Sequence, residues 1–162
     1  MRNFYYFNDD INVETVNNLL DKLSGFEDKI DLYFSTYGGE MSPMDFLVKC
    51  LNTFGERLTV TLTDTVMSAG VKILTDYTGK LKIDYGNLDC VMFHCTDRES
   101  YNFRVDVGVS NTILKKQDAQ TNVKFAQRIK AKGLLTDNQL KQFNQGKGVI
   151  VYKEQIATWN LT

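Results

Sequence analysis

Segments patterned as strands alternate with segments patterned as helices along this chain, and that alternation restricts its fold more than any other feature. Asn12 stands as an N-cap before Val13, Val16, Leu19, Leu20 and Leu23, which share one helical face, and Gly25 is placed to end that helix. Residues 30–35 read as a buried strand and run into the turn Tyr37-Gly38-Gly39. Ser42-Pro43-Met44-Asp45 has the form of a capping box with proline at the first helical position. Met44, Leu47, Val48, Leu51 and Phe54 then supply an apolar face up to Gly55. Residues 58–62 read as a second strand, and a short helix is expected over 68–76. Short strands are expected at 81–84 and 90–93, and an extended arm over 102–107. A long helix over 109–131 carries Ile113, Val123, Ala126 and Ile129. Thr136-Asp137-Asn138-Gln139 is another capping box, before a last strand at 149–152 and helical turns at 153–158.

Strands joined by crossover helices predict an α/β domain with a mostly parallel sheet. In such folds ligands bind where strands end and helices begin. Two junctions here are unusual: Tyr37-Gly38-Gly39 and Val66-Met67-Ser68-Ala69-Gly70.

Composition narrows the partners. The 162 residues suit one domain with its own core, and one proline leaves no Pro-rich linker. Nineteen basic against 20 acidic side chains give a net charge of -1, which excludes nucleic acid and anionic membranes as default partners. No apolar run approaches the ~20 residues that span a bilayer. Cys50, Cys90, Cys95 and His94 lack the spacing of a metal site, so no metal is expected. An odd cysteine count without a leader-like N-terminus suggests a reducing, cytoplasmic setting.

Three features can carry chemistry. Ser68 opens a helix after a strand. That is first of all an ordinary N-cap position; the functional reading is a nucleophile whose neighbour, the Ala69 amide, faces an oxyanion. The hydrolase elbow G-x-S-x-G is not met, because Val66 occupies its first glycine. Gly38 and Gly39 form either a plain tight turn or a backbone segment that approaches a ligand closely. His94, the only histidine, ends the run Cys90-Val91-Met92-Phe93 and is either structural or a general base.

Taken in order, these segments resemble the Clp protease proteolytic subunit family. Ile30-Asp31-Leu32-Tyr33-Phe34-Ser35-Thr36-Tyr37-Gly38-Gly39 is similar to that family's strand and glycine turn, I-x-L-Y-I-N-S-P-G-G. Thr65-Val66-Met67-Ser68-Ala69-Gly70 resembles its nucleophile segment, and Val91-Met92-Phe93-His94 its V-M-I-H, 26 residues beyond Ser68. The resemblance extends from about Phe4 to Leu161.

It implies a crotonase-type spiral of β-β-α units in one domain over 1–162, with 1–101 and 133–162 as head and 102–132 as handle-like arm and assembly helix. It implies a serine peptidase that needs no cofactor, with Ser68 as nucleophile, His94 as base, and the amides of Gly39 and Ala69 as oxyanion hole. Peptides or unfolded polypeptides would bind as strands beside Gly38 and Gly39, and the subunits would form a ring, heptameric or doubled. The third triad position, an aspartate in the family, falls on Asn144, with Asp137 the nearby alternative. An asparagine there orients the histidine without supplying charge; in a trypsin-type triad that change lowers turnover about 10⁴-fold. Tyr37 stands where the family has proline, and Asp64 where it has glycine. Few residues precede Phe4, so the axial loops that dock an ATPase unfoldase are not expected, nor is that coupling. A catalytically silent ring or scaffold subunit of the same fold is the alternative reading.

Overall fold

The computed structural model describes residues 1–95 and 111–161, with side chains from 117 onward in the long helix. Its strands are β1 (Arg2–Asn8), β2 (Lys29–Thr36), β3 (Leu58–Met67), β4 (Lys80–Ile83), β5 (Cys90–Phe93) and β6 (Val149–Tyr152). Its helices are α1 (Val13–Ser24), α2 (Met41–Thr53), α3 (Lys72–Asp76), α4 (Asn111–Ala131), α5 (Asp137–Asn144) and α6 (Lys153–Ile156), with 3₁₀ turns at Gly55–Arg57 and Ser68–Val71. The described residues divide into two compact units, Met1–Phe93 with Ile150–Thr162, and His94–Val149.

The first unit is α/β. Its sheet runs β1-β2-β3-β5-β6, with β4 also against β3, and the β1–β2, β2–β3, β3–β4 and β3–β5 pairings are all parallel. Ile30, Leu32 and Phe34 alternate inward with Leu58, Val60 and Leu62, and all are essentially inaccessible. Val16, Leu19 and Leu23 of α1 and Met44, Leu47 and Leu51 of α2 complete that core. Each such side chain contributes about 1.5–3 kcal/mol through removal from water.

Helix α1 forms where its apolar spacing predicts, burying Val16, Leu19 and Leu23, whereas Val13 of the expected face is exposed. Asn12 caps it, accepting from the Thr15 amide at 2.9 Å while Thr15 answers the Asn12 amide, and Gly25 ends it. Helix α2 differs from expectation. It starts at Met41, its N-cap is Glu40, and the Ser42 capping box does not form. The cause is non-local: the Glu40 amide donates to Ile11 O at 2.8 Å, holding residue 40 extended until the helix begins. Pro43 then sits in the first turn, where its missing N–H needs no acceptor. The strand β1 was not anticipated; its Phe7 and Tyr6 stack on Phe34 and Tyr33 of β2 at 5.4 and 4.6 Å.

Strand β3 runs five residues beyond the expected 58–62, through an irregularity. Phe34 pairs with Leu62 but Thr36 pairs with Val66, so Ser35 alone faces Thr63, Asp64 and Thr65. Asp64 takes φ 51° there. Aspartate is among the few residues that adopt this region at modest cost, which rationalises a non-glycine at this position. The same point marks a change of neighbour: β4 pairs with residues 59–62 of β3, and β5 with 65–67.

In the second unit, α4 and α5 pack through Phe125 and Phe143, whose rings meet edge to face at 5.8 Å. Ile129, Leu134 and Phe143 are fully buried, whereas Val123 of the expected apolar face is exposed. The Thr136–Gln139 capping box starts α5 as expected. The arm expected over 102–107 lies outside the described residues, as does the side chain of Ile113. Among the described residues no helix is long and apolar enough to cross a membrane.

Candidate active site

In the first unit, the end of β2 and the end of β3 bring Gly38, Gly39, Ser68 and Ala69 together. Ser68 is the first residue of the 3₁₀ turn, and its backbone is left-handed at φ 54°. For an L-residue this conformation costs about 1–2 kcal/mol. Ser68 is not an N-cap: the cap is Met67, and no side chain caps the turn. The ordinary explanation for a serine at this junction therefore does not apply. The strained turn instead lifts the side chain out of the strand's alternation, toward the glycines.

Gly38 lies directly against it. A Cβ built on Gly38 would run into Ser68 Cβ and come within 3.0 Å of Ser68 Oγ. Gly38 and Gly39 have φ 112° and 140°, which other residues rarely adopt. A side chain at Gly39 would strike the main chain of Ile11. That contact is a parallel bridge in which the Ile11 amide donates to Gly38 O at 2.7 Å and the Glu40 amide donates to Ile11 O at 2.8 Å. In this pattern the residue between, Gly39, turns its own N–H away from Ile11. The Gly38 N–H is committed otherwise, donating to Thr36 Oγ1 at 3.0 Å. Ala69 is buried in the first turn of a 3₁₀ segment, where an amide has no acceptor within the helix. The Gly39 amide is thus directed away from Ile11, and the Ala69 amide lies in the first turn of the 3₁₀ segment.

In the second unit, His94 follows β5 and is half-buried. Its Nδ1 lies 2.8 Å from Cys95 O. A carbonyl oxygen only accepts, so Nδ1 carries the proton and Nε2 the lone pair in the neutral ring. Asn144 ends α5 and is exposed. It lines a groove of about 630 Å³ with Cys95, Val123, Ala126 and Leu140. Asp137 is exposed in the first turn of α5, where a carboxylate offsets the helix dipole. The Cys95 thiol donates to Phe143 O at 3.1 Å, and burial pushes its pKa up, so it stays protonated and is a poor nucleophile.

Two residues around the glycine turn had no signal of their own in the sequence. The Thr36 hydroxyl accepts from the Gly38 amide and the Ile11 amide donates to Gly38 O, so both hold Gly38 in place. Among the described residues, no group of three or more His, Cys, Asp or Glu side chains is placed to hold a metal ion.

No protein-family model matches the chain. No curated protein matches it either.

Proposed function

We propose that the chain is a serine peptidase similar to the Clp proteolytic subunit. The observation that carries this reading is the left-handed Ser68, held off the cap position and seated against Gly38. A serine with a strained backbone at a strand end, packed against a glycine turn, is the arrangement expected of a nucleophile. The substrate would be an extended peptide lying beside Gly38 and Gly39. Ser68 Oγ attacks the carbonyl carbon, its proton passes to His94 Nε2, and the tetrahedral oxygen is held by the Gly39 and Ala69 amides. Collapse of the intermediate breaks the C–N bond, with the proton passing from His94 to the leaving amine. Water then hydrolyses the acyl ester by the same route. Asn144 is the third member in this reading; the His94 Nδ1–H rests on Cys95 O at 2.8 Å, so Asn144 would have to take over that proton to orient the ring, and it would do so without adding charge. The crotonase-type spiral, the role of α4 as an assembly helix, the ring and the cytoplasmic location belong to the same proposal.

The test is a fluorophosphonate probe with mass-spectrometric localisation. Labelling at Ser68 that is lost in Ser68→Ala supports the reading. Absence of labelling together with absence of peptide hydrolysis from pH 6 to 9 overturns it.

A silent subunit of the same fold is the second reading. It is favoured by the His94 Nδ1 contact, which is to a main-chain carbonyl rather than a carboxylate, and by the amide at Asn144. In that case peptides bind without being cleaved.

A further inference from the structure

We propose that Thr36 is a positioning residue that locks the two halves of the oxyanion site, Gly39 and Ala69, into one register. The inference rests on the peptidase reading and adds to it the residue that sets the geometry. Thr36 ends β2 and is 1% exposed. Its hydroxyl donates to Asp9 O at 2.7 Å and accepts the Gly38 N–H at 3.0 Å. One side chain therefore ties the segment after β1 to the glycine turn, and fixes the Tyr37–Gly38 peptide plane, one plane ahead of the one that carries the Gly39 N–H. Its methyl faces the other half. A Cβ built on Gly70 would run into Thr36 Cγ2, while its remaining neighbours, Val66 Cγ1 and Phe34 Cε1, lie at ordinary contact distances of 3.5 and 3.7 Å. Gly70 directly follows Ala69, so the serine turn is seated on the Thr36 methyl. The hydroxyl anchors the turn that leads into the Gly39 amide, and the methyl seats the turn that carries the Ala69 amide. Threonine supplies both groups; serine lacks the methyl, and valine lacks the hydroxyl.

Displacements of about 1 Å at a reacting centre cost on the order of 100-fold in rate. Three variants separate this role from general stability. Gly70→Ala should lower kcat for a peptide substrate by about 100-fold with KM nearly unchanged, because the added methyl pushes the serine turn off Thr36. Adding Thr36→Ser to Gly70→Ala should restore kcat to within about 5-fold of wild type, because it removes the atom that clashes. Thr36→Val should lower kcat and weaken binding of a peptide boronate by the same factor, since both require the oxyanion amides, and leave product-peptide affinity unchanged. Rescue in the double variant supports the proposal even if Thr36→Val does not fold. A double variant no better than Gly70→Ala, or a Thr36→Val enzyme with wild-type kcat, overturns it. A wild-type chain that neither labels at Ser68 nor cleaves peptides overturns the peptidase reading itself, and this inference with it.

Discussion

Gly38 and Ser68 are packed so closely that residue 38 has no room for a side chain: a Cβ there would overlap Ser68 Cβ. The φ of 112° at Gly38 imposes the same restriction independently. Gly38→Ala should therefore displace either the glycine turn or the serine. We expect Ser68 labelling to fall at least 100-fold and stability to drop by about 1–3 kcal/mol, read by probe kinetics and urea unfolding. Wild-type labelling in this variant would contradict the packing.

The left-handed backbone at Ser68 predicts an inversion of the usual glycine penalty. Ser68→Ala and Ser68→Gly both remove the hydroxyl, but only alanine keeps a Cβ at φ 54°. Ser68→Gly should be the more stable of the two by about 1 kcal/mol, an increase of about 2–4 °C in Tm. Paired thermal melts decide it; an equal or lower Tm for the glycine variant contradicts the strain.

The third triad member separates Asn144 from Asp137. Asn144→Asp should raise peptide turnover, because a carboxylate stabilises imidazolium where an amide only orients it. Asp137→Ala should leave turnover unchanged and cost about 0.3–1 kcal/mol, the value of an acidic residue at a helix start. Turnover unaffected by the first change and abolished by the second would move the role to Asp137.

Lys72 is buried in α3 with Asp45 Oδ1 at 2.7 Å and Asp76 Oδ2 at 3.0 Å. Desolvating an ammonium is tolerated here because two carboxylates flank it. Asp45→Asn or Asp76→Asn alone should be mild, since each leaves one carboxylate beside the charge. The double change should cost more than the sum of the two, with a coupling of about 0.5–3 kcal/mol in denaturant melts. Lys72→Met, which removes the buried charge itself, should be milder than the double variant.

Tyr77 adds an alkaline limit. Its hydroxyl donates to Leu58 O at 3.1 Å, and burial pushes its pKa up from 10.0 to about 12. The folded state thus binds this proton more tightly than the unfolded chain. The contribution is complete below pH 10 and is lost as pH rises toward 12. Tyr77→Phe should flatten the stability–pH curve in that window, and cost about 1 kcal/mol near neutrality through the lost hydrogen bond.

The sequence was most legible where the determinants are local. Helix α1 follows from the apolar spacing of Val16, Leu19 and Leu23 and its two caps, and α5 from Thr136 and Gln139. It was least legible where a distant segment decides. The start of α2 is set by Ile11, across the bridge to the glycine turn, and overrides a plausible cap at Ser42. The second half of β3 carries polar Thr63, Asp64 and Thr65, which read as a strand's end; pairing with β5 carries the strand on. Ser68 was visible as a candidate because of its place after a strand. Its strain was not, since φ at 68 depends on how β3 meets Gly38. Thr36 looked like any threonine before a turn, because its two roles exist only once Asp9 and Gly70 are brought to it.

The irregularity at Asp64 changes the neighbour of β3 without changing its face. Two extra residues on β3 preserve parity, so Val66 keeps to the same buried side as Leu62. A single inserted residue would have exchanged the two faces of everything that follows. From Leu62 to Val66, four residues of β3 lie against the two of β2 from Phe34 to Thr36, about 6.6 Å of strand, so the extra pair bulges outward and does not lengthen β3. The bulge falls where β4 gives way to β5, and the Ser68 end of β3 stays level with the glycine turn.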